Sequence, residues 1–467
     1  MSEKTPSELL KEELFYTSRE ASRTLDDKQI EEADRYCEEY VRFLDAAKTE
    51  REAVDYAVAR AEKEGFVPFD RTKPLKAGDK VYYNNRGKAL MLAVIGTRPI
   101  TDGVSIAAAH IDSPRLDLKP NPLYEDGDLA YFDTHYYGGI KKYQWTALPL
   151  ALHGVVAKKD GSIVTVRIGE DPGDPVFCVT DLLPHLATEQ MKRTAAEAIK
   201  GEDLNILIGS RAFRDDKGSE LVKLNILRIL NEKYGIVEKD FFSAELEAVP
   251  AFGARDVGFD RSLIGAYGHD DRVCAYPALT ALLGAKAPAY TAVTILADKE
   301  EIGSEGATGM QSAFLKYFIA DLAAAFGAEG RHVLSNSVCL SADVNAAFDP
   351  IYPDVFEKKN AAMINRGVVL TKYTGSRGKS GTSDASAELM SHIRRLMDGS
   401  DVLWQIGELG KVDAGGGGTV AMYIANLNVD TVDLGVPVLS MHAPFEVVSK
   451  LDVYMAHRAF TALLTRE

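Results

Sequence analysis

The chain has 467 residues, more than one hydrophobic core usually holds, so two domains or one large α/β domain with an insertion are expected. Its 46% hydrophobic and 26% charged residues are the balance of a globular protein, not of a disordered or fibrous one. Lys plus Arg number 54 against 69 Asp plus Glu, and the net charge of -15 argues against partners with a phosphate backbone.

The first stretch, MSEKTPSELLKEELFYTSRE, is charged throughout and holds no apolar segment of signal-peptide length. No stretch reaches the roughly 18 unbroken apolar residues of a membrane helix. Cys37, Cys178, Cys274 and Cys339 are far apart and form no C-x-x-C pair. Cys274 and Cys339 sit in apolar runs and read as buried thiols. The expected compartment is a reducing cytoplasm.

Residues 1 to about 65 read as helical, with Tyr36, Tyr40, Val41 and Leu44 at helical spacing in charged surroundings. KVYYNNRG and ALMLAVIGT predict two strands across an Asn-Asn-Arg-Gly turn, and VSIAAAHID a third. From about 116 to 254 the texture changes. LAYFDTHYYG alternates, ALHGVVAKKDGSIVTVRIG predicts a hairpin turning at Asp160-Gly161, and a Lys/Glu-rich helical stretch is expected between 185 and 235. This segment reads as an inserted module with its own antiparallel strands. After 270, YTAVTILAD, VCLSAD and VPVLSMH are near-continuous apolar runs separated by amphipathic helices, the pattern of parallel strands buried on both faces. The run Gly415 to Gly418 lacks the Lys-Ser/Thr of a phosphate loop and reads as a flexible or close-packed loop.

The informative pattern is where acids and histidines fall. SIAAAHID closes with His110 and Asp112, TAVTILADKEEIGS with Asp298, Glu300 and Glu301, VCLSADVN with Asp343, and VPVLSMHAPFE places His442. GHDDRVCAYPALTALLGA puts Asp270 and Asp271 at the start of an amphipathic helix. The carboxyl ends of strands in open α/β sheets are where ligands bind, so five segments aim these groups at one crevice. Each piece alone has a structural explanation. A lone His is usually satisfied in place, Asp270 or Asp271 can cap a helix, and adjacent glutamates are usually solvated. Asp343 in an apolar setting is costlier to explain that way. Neutral imidazole together with carboxylate oxygen suits zinc, and His110 and Asp112, two apart, project to one side of a strand. Asp112 can then hold the second ring nitrogen of His110. An adjacent Glu-Glu pair can supply one metal ligand and one general base.

At these residues the chain resembles the M18 family of metallo-aminopeptidases, the aspartyl aminopeptidase and aminopeptidase I group. AAAHIDSPRLDLKP, HDDRVCA, ADKEEIGS, SADVN and LSMHAPFEVVSKLDV occur in the family's order, over essentially the whole length. M42 aminopeptidases share the Asp-Asp-Arg and Glu-Glu elements but are shorter. The resemblance implies two divalent metal ions per subunit, zinc expected, with cobalt or manganese accommodated by the same donors. His110, Asp270 and Asp343 would hold one ion, and Glu301 and His442 the other, with Asp270 bridging. Glu300 would be the general base and Asp112 would orient His110. The implied fold is α/β: a mixed, largely parallel sheet flanked by helices in a catalytic domain (1–115 and 255–467), interrupted by an inserted β-rich dimerisation domain (116–254). The implied activity is removal of N-terminal residues from peptides by metal-activated water, and the implied assembly is a homododecamer built from dimers.

Lys372, in VVLTKYTGSRGKSG, falls near a position where acid-preferring members read an Asp or Glu side chain, with Arg377 and Lys379 as neighbouring candidates. Those members also carry a His that reaches a neighbouring subunit's active site. Here YYGGIKKYQW has Lys141, Lys142 and Tyr143 instead, with His135 just upstream. Related hydrolases, a carboxypeptidase or an N-acyl amino acid deacylase, share this general design, and Arg255, Arg272 and Arg377 do not decide between them. A non-catalytic scaffold keeping a vestigial metal site is the alternative of another class. The carboxylate-rich, cysteine-free donor set argues against it. Two histidines argue against Mg²⁺ phosphoryl transfer.

Overall fold

The computed structural model describes residues 4–215 and 217–467. The N-terminal part is helical. Asp26 accepts the N–H of Gln29, whose side chain returns the bond to the cap, and this opens the helix Asp27–Ala46. Thr49 and Glu52 open Glu50–Lys63 in the same reciprocal way. One stripe of the longer helix (Ala33, Cys37, Tyr40, Phe43, Leu44) is buried against the body of the protein.

A nine-stranded sheet forms that body. Thr291–Ala297, Val104–His110, Val338–Ser341 and Asp430–Gly435 are its parallel central strands, in that spatial order. Ala89–Val94 and Lys80–Asn85 extend it antiparallel on one side, out to the short edge strand Val67–Pro68. Val368–Thr371, antiparallel to its neighbour, and Trp404–Ile406 complete the other side. Every residue of Val104–His110 and Thr291–Ala297 is buried, because apolar layers cover both faces. The strand's alternation sorts its side chains between those layers. Ala107 and Ala109 pack with Tyr40, Val273 and Phe460 on one face, while Ile106 and Ala108 pack with Phe318 and Leu322 on the other.

Three local expectations are corrected. The run VPVLSMH is not a strand of this sheet: Pro437–Leu439 pairs antiparallel with Glu446–Ser449 and parallel with Asn345–Ala346 in a separate five-stranded sheet. Its apolar character comes from burial in that second layer. The helix His269–Gly284 is not amphipathic but buried almost throughout, because it lies between the large sheet and the helices Asp27–Ala46 and Lys450–Leu464. Among the described residues between 185 and 235, Ala195–Ala198 and Leu221–Tyr234 are the α-helical stretches, with a 3-10 turn at Gly201–Asp203. The apolar run Ile206–Gly209 is instead a strand, paired with Leu129–Tyr137 and Cys178–Val179.

A seven-stranded antiparallel sheet is built entirely from residues between Arg115 and Pro250, with Arg115–Asp126, Leu129–Tyr137, Leu150–Ala157 and Ala244–Pro250 among its strands. It has its own apolar core around Trp145, Leu150, Phe132 and Phe241. The hairpin turning at Asp160-Gly161 joins Leu150–Ala157 to Ile163–Ile168. The chain enters this sheet immediately beyond His110 and leaves it before Arg255, so the insert begins and ends beside the large sheet's strand ends. No helix among the described residues is long and apolar enough to cross a membrane. All four cysteines are free, and three of them are buried.

Candidate metal centre

The central parallel strands end at one crevice. His110 is the last residue of its strand, Asp298 follows Ala297, and Asp343 lies just past Ser341. Asp270 and Asp271 lie in the first turn of His269–Gly284, where the backbone is not yet helical and the peptide between them is cis. His442 sits in the turn between Pro437–Leu439 and Glu446–Ser449. These elements lie far apart in sequence, and the fold converges them on Asp270.

Asp270 turns one carboxylate oxygen toward each histidine. Its Oδ1 is 3.2 Å from His110 Nε2, and its Oδ2 is 3.1 Å from His442 Nε2. Asp343 Oδ1 lies 3.8 Å from His110 Nε2, and Glu301 Oε1 lies 3.6 Å from His442 Nε2. Two triads result, His110–Asp270–Asp343 and Asp270–Glu301–His442, each with its ligand atoms within 4.8 Å of one another. Glu300 Oε2 is 3.8 Å from His110 Nε2 but belongs to neither triad. Asp271 is also outside both, and neither of its buried carboxylate oxygens has a hydrogen-bond partner.

The donor set fits divalent metal ions. His110 Nδ1 donates to the Asp112 carbonyl at 3.0 Å and lies 3.3 Å from its Oδ1, while His442 Nδ1 donates to the Gly139 carbonyl at 2.7 Å. Each ring therefore presents the Nε2 lone pair to the centre. His110 Nε2, Asp270 Oδ1 and Glu301 Oε1 are buried without any hydrogen-bond partner, a cost that a bound cation removes. Crowding of like charges points the same way. Burial and the nearby Asp343 carboxylate push Glu300 up to about 8, and burial with Asp270 pushes Glu301 well above the usual carboxylate range. Burial works against ionisation of Asp270 too, but its two histidine partners outweigh that and hold its carboxyl well below the ordinary value. Mixed imidazole and carboxylate donors without cysteine are the chemistry of catalytic rather than structural zinc sites.

The centre opens into a cavity of about 450 Å³. Asp270, Glu300, Glu301, Asp343 and His442 form part of its lining, and Arg377, Lys379 and Lys411 line it as well. Lys372 does not. It pairs with Asp384, whose other oxygen takes Lys379 Nζ at 3.0 Å. His135 is also apart from the centre, with Nδ1 against the Tyr136 carbonyl.

A family model described as "Aminopeptidase I zinc metalloprotease (M18)" matches residues 43–464. The chain belongs to the M18 aminopeptidase family. It is 52% identical over 467 residues to "Probable M18 family aminopeptidase 1" of Clostridium acetobutylicum, covering 98% of this chain and 99% of that one. The crystal structure of an M18 aminopeptidase from Thermotoga maritima, 44% identical, superposes with a TM-score of 0.92 over 97% of this chain and 100% of the other. The S. cerevisiae mApe1 dodecamer, 21% identical and covering 92% of this chain and 96% of its own, shares the fold at a TM-score of 0.75. The M18 chain is thus a metallo-aminopeptidase, a peptide hydrolase.

In this M18 aminopeptidase several supporting groups escape a reading of strand ends. Buried Glu446 accepts the backbone N–H of both His442 and Asp270. Ser113 Oγ donates to the Asp270 carbonyl at 2.5 Å and accepts from Arg272 at 3.0 Å. Tyr137, from the inserted sheet, donates its hydroxyl to Asp112 Oδ2 at 2.9 Å. Glu446 had a sequence signal, an acid buried in the apolar run after His442, whereas Tyr137 is one aromatic of an alternating strand.

Proposed function

We propose that the chain removes N-terminal residues from peptides at a dinuclear centre, with zinc as the metal. The observation that carries this reading is the geometry of Asp270, one oxygen toward each histidine, which suits a bridging ligand. His110, Asp270 and Asp343 would hold one ion, and Asp270, Glu301 and His442 the other. Bound there, the ions would supply Lewis acidity toward the scissile carbonyl and lower the pKa of the attacking water.

The remaining steps fall to side chains. Glu300 lines the cavity beside His110 without serving either triad, so it is free to take a proton and deliver it to the leaving amine. Asp112 holds the His110 tautomer and accepts the backbone N–H of Glu300 at 3.1 Å, which aims the base. Arg377, Lys379 and Lys411 on the cavity lining favour an acidic side chain at the substrate N-terminus. Lys372, engaged with Asp384, takes part only through that pair.

We further propose the division 1–115 and 255–467 as catalytic domain and 116–254 as an inserted dimerisation domain. Its support is the separate antiparallel sheet and core of that segment. The dodecamer of the yeast relative supports self-association of the same kind, and four free cysteines support a cytoplasmic location.

The test is a rate profile on X-Ala dipeptides, X being Asp, Glu, Leu, Lys and Arg, before and after chelation and with each N-acetylated twin. Chelator-sensitive cleavage of the free amine only, restored by zinc, is the expected result. Cleavage of the acetylated twins would replace this reading by a deacylase. Preference for Leu over Asp and Glu would remove the acidic pocket and leave the aminopeptidase.

A further inference from the structure

The segment Tyr137–Gly139 leaves the inserted antiparallel sheet and meets the metal centre at three points. The Tyr137 hydroxyl donates to Asp112 Oδ2 at 2.9 Å. The Gly139 carbonyl accepts from His442 Nδ1 at 2.7 Å. Gly138, at a φ of +76, lies so close to Glu301 that a Cβ there would come within 3.1 Å of Glu301 Oε2 and 3.3 Å of Glu301 Cβ.

Asp112 explains why the first contact matters. Its Oδ1 faces His110 Nδ1 at 3.3 Å and accepts the N–H of Glu300 at 3.1 Å, while its Oδ2 accepts the N–H of Glu301 at 3.2 Å. One carboxylate thus sets a ligand of one triad, the backbone of a ligand of the other, and the proposed base. The Tyr137 hydroxyl is its remaining donor and the one that comes from the insert. Tyr137 is itself held from behind. It pairs in register with Arg115 across the two strands, and the guanidinium carbon lies 3.9 Å from its ring centroid. Arg115 Nε donates to Asp117 at 2.8 Å, with Glu247 and Glu50 within 3.4 Å of the same guanidinium.

We propose that Tyr137–Gly139 is a positioning element through which the inserted sheet sets the geometry of both ligand triads. The proposal rests on reading those triads as metal sites. Tyr137 and Gly138 touch ligands or their supports, not substrate, so their loss should show first in metal binding.

The experiment uses the full chain stripped of metal and titrated with zinc against a chromophoric chelator, together with the absorption spectrum of the cobalt-loaded protein. Tyr137→Phe keeps the ring on Arg115 and removes only the hydroxyl. Loss of such outer hydrogen bonds typically weakens metal binding about 10–100-fold, and that is the expected change, with an altered cobalt spectrum. Tyr131→Phe, on the same strand and stacked on Tyr124, serves as the control and should bind as wild type does. Gly138→Ala pushes on Glu301 directly and gives an independent reading should Tyr137→Phe fail to fold. Zinc affinities within about threefold of wild type in the folded variants, with unchanged cobalt spectra, would overturn the proposal. A wild type that takes up no metal would instead overturn the metal-centre reading on which it stands.

Discussion

Glu446 accepts the backbone N–H of Asp270 at 3.0 Å, and its other oxygen takes the N–H of His442 at 2.7 Å. One buried carboxylate therefore ties the start of the helix His269–Gly284 to the turn that carries His442. Substituting Glu446→Gln leaves one acceptor oxygen for two donors and turns an NH₂ toward an N–H. The expected cost is about 1–3 kcal/mol in the metal-free protein, together with weaker metal binding. Urea unfolding of the stripped protein checks the first, and a wild-type midpoint would show that the two bonds do not hold the turn.

The membership of Asp270 in both triads makes a prediction about stoichiometry. Asp270→Ala removes an oxygen from both triads, whereas His442→Ala touches only one. After gel filtration in metal-free buffer, elemental analysis should find the first variant nearly empty and the second half-loaded relative to wild type. Equal losses in the two variants would count against a shared ligand.

Glu300 should behave differently from the residues of the two triads. Glu300→Gln keeps the size and the backbone bond to Asp112 but cannot carry a proton. Turnover should fall about 10²–10⁴-fold while metal content and unfolding temperature stay at wild-type values. Residual activity near wild type would move the proton-transfer role to another group.

The pH dependence of stability follows from the junction between the N-terminal helices and the inserted sheet. There Glu170 pairs with Lys48, and His153 has Nδ1 2.8 Å from Glu52 and Nε2 3.2 Å from Glu170. Burial would raise the Glu170 carboxyl, but His153 and Lys48 outweigh it and hold it at about 2. Burial would lower the His153 imidazole, and the two glutamates outweigh that and raise it. The Glu170 contribution is complete above its unfolded value near 4.5 and is lost as pH falls toward 2. The His153 contribution is complete below its unfolded value near 6.5 and fades as pH rises through the folded one. The difference in unfolding temperature between wild type and Glu170→Gln should thus peak between these limits. A difference that does not change from pH 3 to pH 9 would contradict the network.

The amino-acid sequence determined more of the centre than of its setting. VSIAAAHID, TAVTILAD and VCLSAD are continuous apolar runs that end in His or Asp, and a strand buried on both faces frees such groups most readily where it stops, although buried Asp433 sits inside Asp430–Gly435 with the Thr419 hydroxyl as its donor. That local rule places His110, Asp298 and Asp343 at one edge of the sheet. It misled at VPVLSMH, because an apolar run does not say which of two sheets it joins. Alternation inside a strand likewise says which face a side chain takes, but not what lies opposite it.

Only the tertiary structure decided the rest. It separated Asp270 from Asp271, set Lys372 against Asp384 and not into the cavity, and brought Glu446 and Tyr137 to the two triads and their supports. These choices are made at the ends of strands and at a helix start, where periodicity gives at most a face and the partners come from elsewhere. Glu446 lies 176 residues from the N–H of Asp270 that it accepts, and Gly139 lies 303 from His442. Contacts over such separations exist only once the two sheets have packed, so they leave no pattern within any one segment of the chain.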